Sequence, residues 1–203
     1  MLLTIDIGNT CISFGSFCDD KLLFVSDILT DIYKSADQYA IDFLQIFALY
    51  GVDKEKIDCG IISSVVPELT DVIKTAVNRI CNINSYVLGP GIKTGLKINI
   101  DNPAQLGADT VACAVSVINK YKDPALICDF GTATVFSMID ENSSLNGVII
   151  AAGVGTTLDA FTKKTALLPH VSIDAPKNLL GTNTCSSIQS GLIFGTASMV
   201  DGI

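Results

Sequence analysis

The chain predicts an α/β fold of two related subdomains, each a mixed sheet flanked by helices. Two observations carry this. Strand-like apolar runs alternate with helical periodicity along the 203 residues, and one strand–turn–strand pattern occurs twice. The first copy is Met1–Gly15, MLLTIDIGNTCISFG, and the second is Ala125–Asp140, ALICDFGTATVFSMID. Asp129 stands 123 positions after Asp6, and the same offset sets Gly131 on Gly8, Thr132 on Asn9 and Val135 on Ile12. A duplication of this length places the subdomain boundary between residues 1–121 and 122–203.

In the first copy Leu2 to Ile5 is an apolar strand, Gly8-Asn9-Thr10 is turn chemistry, and Cys11 to Phe14 is a second strand. Lys21 to Ile28 reads as a third strand. Ser35 is a plausible N-cap for a helix whose stripe is Ala36, Tyr39, Ala40, Phe43, Leu44, Phe47 and Ala48. Ile57 to Val66 is a strongly apolar strand containing two serines, and Pro67 and Glu68 open a helix with Leu69, Ile73, Val77 and Ile80 on one face. Asn84 to Leu88 is another strand.

Gly89 to Leu96 reads GPGIKTGL. It is not a Walker phosphate loop, which needs glycine directly before the lysine and a helix after it; Ile92 precedes Lys93, and Gly95 to Ile98 continues as strand. A glycine-rich turn and a small-molecule loop remain open. After the Asp101-Asn102-Pro103 turn, a helix runs from about Leu106 to Lys120 with Ala108, Val111, Ala112, Val115 and Ile118 as its buried stripe. Asp109 in its first turn complements the helix dipole, or else serves as a general base. A Tyr121–Pro124 linker leads to the second hairpin. Its Asp129-Phe130-Gly131 triplet lacks the other protein-kinase signatures. Leu145 to Ala152 is a strand, Gly153 and Gly155 form a turn, Thr156 to Lys164 is a helix, and Asn183-Thr184 opens a last helix over Ser187 to Val200.

Composition narrows the function. A net charge of −8 argues against nucleic acid, which needs clustered Lys and Arg. Hydrophobic content of 49% and a mean hydropathy of +0.48 fit buried parallel strands and an oligomer interface. No uninterrupted apolar run reaches the roughly 20 residues of a membrane span, and Asp6 interrupts the apolar start, so neither a membrane nor a signal peptide is expected. Seven scattered cysteines with no C-x-x-C pattern, most inside apolar runs, predict buried thiols in a reducing cytoplasm. The sole histidine, His170, has no ligand-spaced partner.

Glycine lets backbone approach a ligand closely, and Asn9, Thr10 and the turn N–H groups can bind phosphate oxygens. Asp6 would repel phosphate directly, so it acts through a divalent cation, Mg²⁺ above all. Two such hairpins around one nucleoside triphosphate resemble the actin-like (ribonuclease H-like) ATPase superfamily, which includes sugar kinases and acetate kinase.

Taken in order, DIGNT (Asp6–Thr10), SSVVP (Ser63–Pro67), GPGIKTGL (Gly89–Leu96), DNP…GAD (Asp101–Asp109), DFGTAT (Asp129–Thr134) and GTNT…SIQSG (Gly181–Gly191) resemble the type III pantothenate kinases, bacterial enzymes that start coenzyme A synthesis. The resemblance implies transfer of the ATP γ-phosphoryl group to the 4′-hydroxyl of pantothenate. It implies an ATP loop of Asp6, Ile7, Gly8, Asn9, Thr10, Cys11, Ile12 and Ser13 together with Thr132. It also implies Asp109 as catalytic base, and pantothenate contacts from Gly107, Ala108, Asp109, Thr110 and Thr184. Asp129 matches the holder of a monovalent cation, potassium or ammonium, while Asp6 meets Mg²⁺ through the phosphates. A cytoplasmic homodimer is the expected assembly.

Three positions depart from the family pattern: Thr110 stands where arginine is usual, Val135 where threonine is usual, and Ala152 where proline is usual. Loss of a hydrogen bond to a charged group costs about 1.5–3 kcal/mol, roughly ten- to a hundredfold in affinity. With Asp109 retained, KM should rise more than kcat falls. The chain ends at Ile203, where the family continues with a strand and helix; if this is the whole chain, the second sheet lacks an edge and ATP binding is weak. Two other readings stand beside the kinase: a nucleotide-binding regulatory paralogue without catalysis, and a kinase for a different small alcohol.

Overall fold

The computed structural model describes residues 1–121, 124–164, 169 and 171–203; Lys122 and Asp123 of the linker, and His170, lie outside them. The chain forms two compact units. One comprises Met1–Leu96 with Asp101–Asn119, the other Lys97–Ile100 with Lys120–Ile203.

The first unit begins with β1 (Leu2–Ile7), β2 (Cys11–Cys18) and β3 (Lys21–Leu29), an antiparallel meander. Then follow α1 (Ala36–Tyr50), β4 (Cys59–Ser64), α2 (Pro67–Cys81) and the short β5 (Tyr86–Val87). The order across the sheet is β3-β2-β1-β4-β5, with β4 parallel to both β1 and β5. Period-2 alternation sends Leu3, Ile5, Ile7, Ile12 and Phe14 to one face, where Tyr39, Phe43 and Phe47 of α1 and Leu69, Ile73 and Val77 of α2 cover them. Phe14 meets Phe43 edge-on at 4.8 Å between ring centroids. Burying a side chain of this size stabilises the unit by about 1.5–3 kcal/mol.

Helix ends follow the sequence. Ser35 and Gln38 make a capping box: the Gln38 N–H donates to Ser35 Oγ at 3.3 Å and the Ser35 N–H to Gln38 Oε1 at 2.8 Å. Gly51 ends α1 in the left-handed region at φ +66°. Leu44 and Ala48, expected on the buried stripe of α1, are exposed.

A larger correction concerns α3 (Ala108–Lys120). Of its described residues only Ala114 is fully buried; Val111, Val115 and Ile118 are half-buried and Ala112 is exposed. The periodicity identifies an apolar face. However, the core face of the first sheet is already covered by α1 and α2, and no α3 residue belongs to that core.

The second unit holds β6 (Lys97–Ile98), β7 (Ala125–Phe130), β8 (Ala133–Ile139), β9 (Ser144–Ala152), α4 (Val154–Lys164) and α5 (Thr184–Gly202). Its order is β6-β9-β8-β7, with β6 parallel to β9 and the other pairs antiparallel. Leu158 of α4, Ile188 and Leu192 of α5, and Val171 form a small core. Asn183 caps α5, its Oδ1 accepting from the Ser186 N–H at 2.9 Å.

The two hairpins are not copies at constant offset. Ile7 pairs with Ile12 and Asp6 with Ser13, whereas Phe130 pairs with Thr134 and Asp129 with Val135. The second link is one residue shorter, so Val135 corresponds to Ser13 and not to Ile12. Thr134 takes the place of Ile12, and both are fully buried.

Candidate active site

In the first hairpin the alternation that buries Ile5 and Ile7 turns Asp6 to the opposite, exposed side. The turn closes through Gly8 N–H to the Cys11 carbonyl at 3.0 Å. A Cβ on Gly8 would stand 2.9 Å from that oxygen, so only glycine fits. Thr30 braces the turn from the end of β3: its Oγ1 donates to the Gly8 carbonyl at 2.7 Å and its N–H to the Thr10 carbonyl at 3.0 Å. Asn9 and Thr10 are exposed at the tip. Ile7 and Ile12 are fully buried, so they can offer a nucleotide only main-chain groups. The Ile7 carbonyl already accepts from the Val65 N–H at 3.0 Å.

Ser13 sits on the Asp6 side, and its Oγ donates to Asp27 Oδ1 at 2.5 Å. Asp27 is not singled out by the sequence, and Ser63, the β4 partner of Asp6, belongs to the SSVVP motif but has no role assigned from sequence. Both are cross-strand neighbours, and register is what local pattern does not carry.

The start of α3 lies beside Val65, the residue after β4 whose N–H meets the Ile7 carbonyl. Asn102 Oδ1 accepts from the Ala104 N–H at 3.2 Å and forms the turn before the helix. Gly107 then lies beside Val65: a Cβ there would be 3.5 Å from Val65 Cγ1 and would overlap Asp109 Oδ1. That Asp109 oxygen accepts from the Thr110 N–H at 2.6 Å and from Thr110 Oγ1 at 3.3 Å. The first unit thus carries Asp6, Ser13 and Ser63 on neighbouring strands, and Gly107, Ala108, Asp109 and Thr110 at the start of a helix beside Val65. A carboxylate with one oxygen tied by Thr110 retains the other for an incoming hydroxyl.

In the second unit Asp129, Gly131 and Thr132 are exposed at the hairpin end, closed by the Gly131 N–H to the Ala133 carbonyl at 3.0 Å. The start of α4 packs on this turn. The Gly153 N–H donates to the Thr132 carbonyl at 3.1 Å and Thr156 Oγ1 donates to it at 2.6 Å. A side chain at Gly153 would run into the Gly131 and Thr132 carbonyls. Thr184 lines an open cavity of about 680 Å³ with Thr157, Phe161, Asn183, Ser187 and Ile188. Hydroxyl, amide and apolar groups line it, and among the described residues no charged side chain does. The first turn of α4 therefore touches the hairpin through Thr156 and the cavity through Thr157. The adjacent threonines after Gly153 and Gly155 were the available signal.

Among the described residues no three His, Cys, Asp or Glu side chains gather as a metal site. Single carboxylates at the strand ends suit an ion held mostly by phosphates and water, as Mg²⁺ is.

Against known proteins, the family model for type III pantothenate kinase matches residues 2–203. A type III pantothenate kinase of Halalkalibacterium halodurans is 38% identical over 203 residues, covering all of this chain and 80% of the relative. Among solved structures, a Campylobacter jejuni protein described as a Baf family transcriptional activator superposes with a TM-score of 0.58 at 20% identity, over 98% of this chain and 78% of that one. A Sinorhizobium meliloti protein named for 2-dehydro-3-deoxygalactonokinase superposes with a TM-score of 0.59 at 11% identity, over 100% and 82%. At such identities the two superpositions speak to the fold alone.

Proposed function

This chain belongs to the type III pantothenate kinase family, and from that premise we propose that it transfers the γ-phosphoryl group of ATP to the 4′-hydroxyl of pantothenate, the first step of coenzyme A synthesis. The observation that carries the reading is Asp109: a carboxylate at a helix start, steadied on one side by Thr110 and adjoining, through Val65, the strand that bears Asp6.

Phosphoryl transfer asks a protein for alignment, charge neutralisation and a proton acceptor. Asp109 accepts the hydroxyl proton on its untied oxygen. Asp6, Ile7, Gly8, Asn9, Thr10, Cys11, Ile12 and Ser13, with Thr132, hold the triphosphate, Ile7 and Ile12 through main chain only. Gly107, Ala108, Thr110 and Thr184 orient pantothenate. Mg²⁺ at Asp6 and a potassium or ammonium ion at Asp129 would neutralise phosphate charge when bound. The proposed subdomains are 1–121 and 122–203, with Lys97–Ile100 and Lys120–Tyr121 of the first grouping with the second compact unit. A homodimer agrees with the half-buried apolar stripe of α3. A cytoplasmic location agrees with seven free cysteines and with the lack, among the described residues, of any helix long and apolar enough to cross a membrane.

The test is ADP release by the purified protein with ATP and Mg²⁺, with and without pantothenate and with and without potassium. Release that requires both pantothenate and potassium, and that falls at least about a hundredfold in Asp109→Asn, is expected. Release indifferent to pantothenate, or unchanged in Asp109→Asn, defeats the reading.

A further inference from the structure

Four polar residues stand in one row across four neighbouring strands. Asp27 of β3 pairs with Ser13 of β2, Ser13 with Asp6 of β1, and Asp6 with Ser63 of β4. Directly paired residues point to the same side of a sheet, so all four share the face opposite the apolar core. Two details of this row point to a ligand.

First, the Ser13 hydroxyl proton is committed to Asp27 Oδ1 at 2.5 Å. A hydroxyl has one proton and two lone pairs, so this bond leaves Ser13 an acceptor toward its other neighbours. An oxygen so fixed suits a cation or a cation-bound water and leaves Ser13 its main chain for the phosphates. Second, Ser63 is 9% exposed and its Oγ has no hydrogen-bond partner. Buried hydroxyls are nearly always paired, and one left without a protein partner beside a carboxylate is matched by a water or ligand atom. Among the described residues the other two orphaned hydroxyls, those of Ser16 and Thr134, belong to buried positions outside this row.

We propose that Asp27 is a positioning residue of the divalent-cation seat, holding the Ser13 hydroxyl as an acceptor with its lone pairs left for the cation's water shell and adding a second negative charge to the row, with the Ser63 hydroxyl meeting the same water shell. This rests on the kinase reading and deepens it. Strands lie about 4.8 Å apart, so Asp27 is about 10 Å from Asp6 along the row and acts through Ser13, not as a direct ligand of the same ion. A chain with one carboxylate at the seat and a second behind it matches Mg²⁺, which keeps most of its waters and takes the rest of its contacts from phosphates.

Mn²⁺ binding, followed by electron paramagnetic resonance with the non-hydrolysable analogue β,γ-methylene-ATP, tests this without turnover. Asp27→Asn removes the charge and should weaken Mn²⁺ about five- to tenfold, the effect of one charge about 7–10 Å from a divalent ion at a water-facing site. Asp27→Glu should stay within about twofold of the parent, and Ser63→Ala should weaken Mn²⁺ by a smaller factor, about threefold, as for one hydrogen bond. In turnover, half-saturating Mg²⁺ should rise in Asp27→Asn while KM for pantothenate stays fixed. Equal Mn²⁺ affinity in the parent and Asp27→Asn overturns the proposal and leaves the kinase reading standing. A parent that binds no metal–nucleotide at all overturns both.

Discussion

Replacing Gly107 with alanine separates chemistry from folding. The new methyl would occupy the space of Asp109 Oδ1, while its contact with Val65 Cγ1, at 3.5 Å, is ordinary packing. The obstacle is the end of a side chain, so the carboxylate rotates away and the backbone stays. Rotation gives up the bonds from the Thr110 N–H at 2.6 Å and Thr110 Oγ1 at 3.3 Å. A hydrogen bond to a charged acceptor is worth about 1.5–3 kcal/mol, so loss of the shorter one alone lowers the oriented population, and with it kcat, by about ten- to a hundredfold. Gly107 does not use left-handed backbone. Alanine there gains about 0.4–1 kcal/mol by restricting the unfolded chain, which offsets part of the loss. At about 2–4 °C per kcal/mol for a chain of this size, Tm should move by no more than a few degrees. Steady-state kinetics and a melting curve on the same preparation measure both quantities. A kcat within twofold of the parent, or a fall in kcat matched by a collapse of Tm, refutes the account of how Asp109 is held.

Thr110→Arg should strengthen pantothenate binding about ten- to a hundredfold in a calorimetric titration, because a charged donor is restored; an unchanged Kd is the contrary result. Gly153→Ala forces a methyl against the Gly131 and Thr132 carbonyls and breaks the α4 contact with the second hairpin. A loss of about 2–4 kcal/mol, or at least about 4 °C in Tm, is expected, and a Tm equal to that of the parent contradicts it. Asp140 accepts from Asn146 Nδ2 at 2.8 Å and from the Ser144 and Asn142 N–H groups, and these bonds hold its carboxyl below the ordinary value. Because the folded state has the depressed value, the contribution is complete above the unfolded value of about 3.9 and is lost as pH falls through the folded one. Asp140→Asn should therefore flatten the acid side of a stability–pH curve, and an identical slope in the two proteins argues against it.

Local signals were legible. Ser35 with Gln38, Pro67 at the start of α2 and the alternation around Asp6 are each decided within a few residues. What escaped was decided at a distance. The shorter second link is invisible to an alignment on Asp-x-Gly, since only pairing reveals that Val135 answers to Ser13. Asp27 and Ser63 gain meaning only from register with Asp6 and Ser13, set by strands far apart in sequence. The stripe of α3 was read correctly as apolar and wrongly as buried, because periodicity names a face without naming what covers it.

The excursion of Lys97–Ile100 into the second unit has a consequence for how the polypeptide can be divided. The backbone changes allegiance three times, after Leu96, after Ile100 and after Asn119. No single cut yields two self-sufficient halves. A protease nick near residue 120 leaves β6 hydrogen-bonded to β9, clasping the fragments together. A gene starting at that point encodes a sheet short of one margin. On the ribosome, Lys97 emerges well before its mate Ser144, so β6 stays unpaired until the start of β9 has been made.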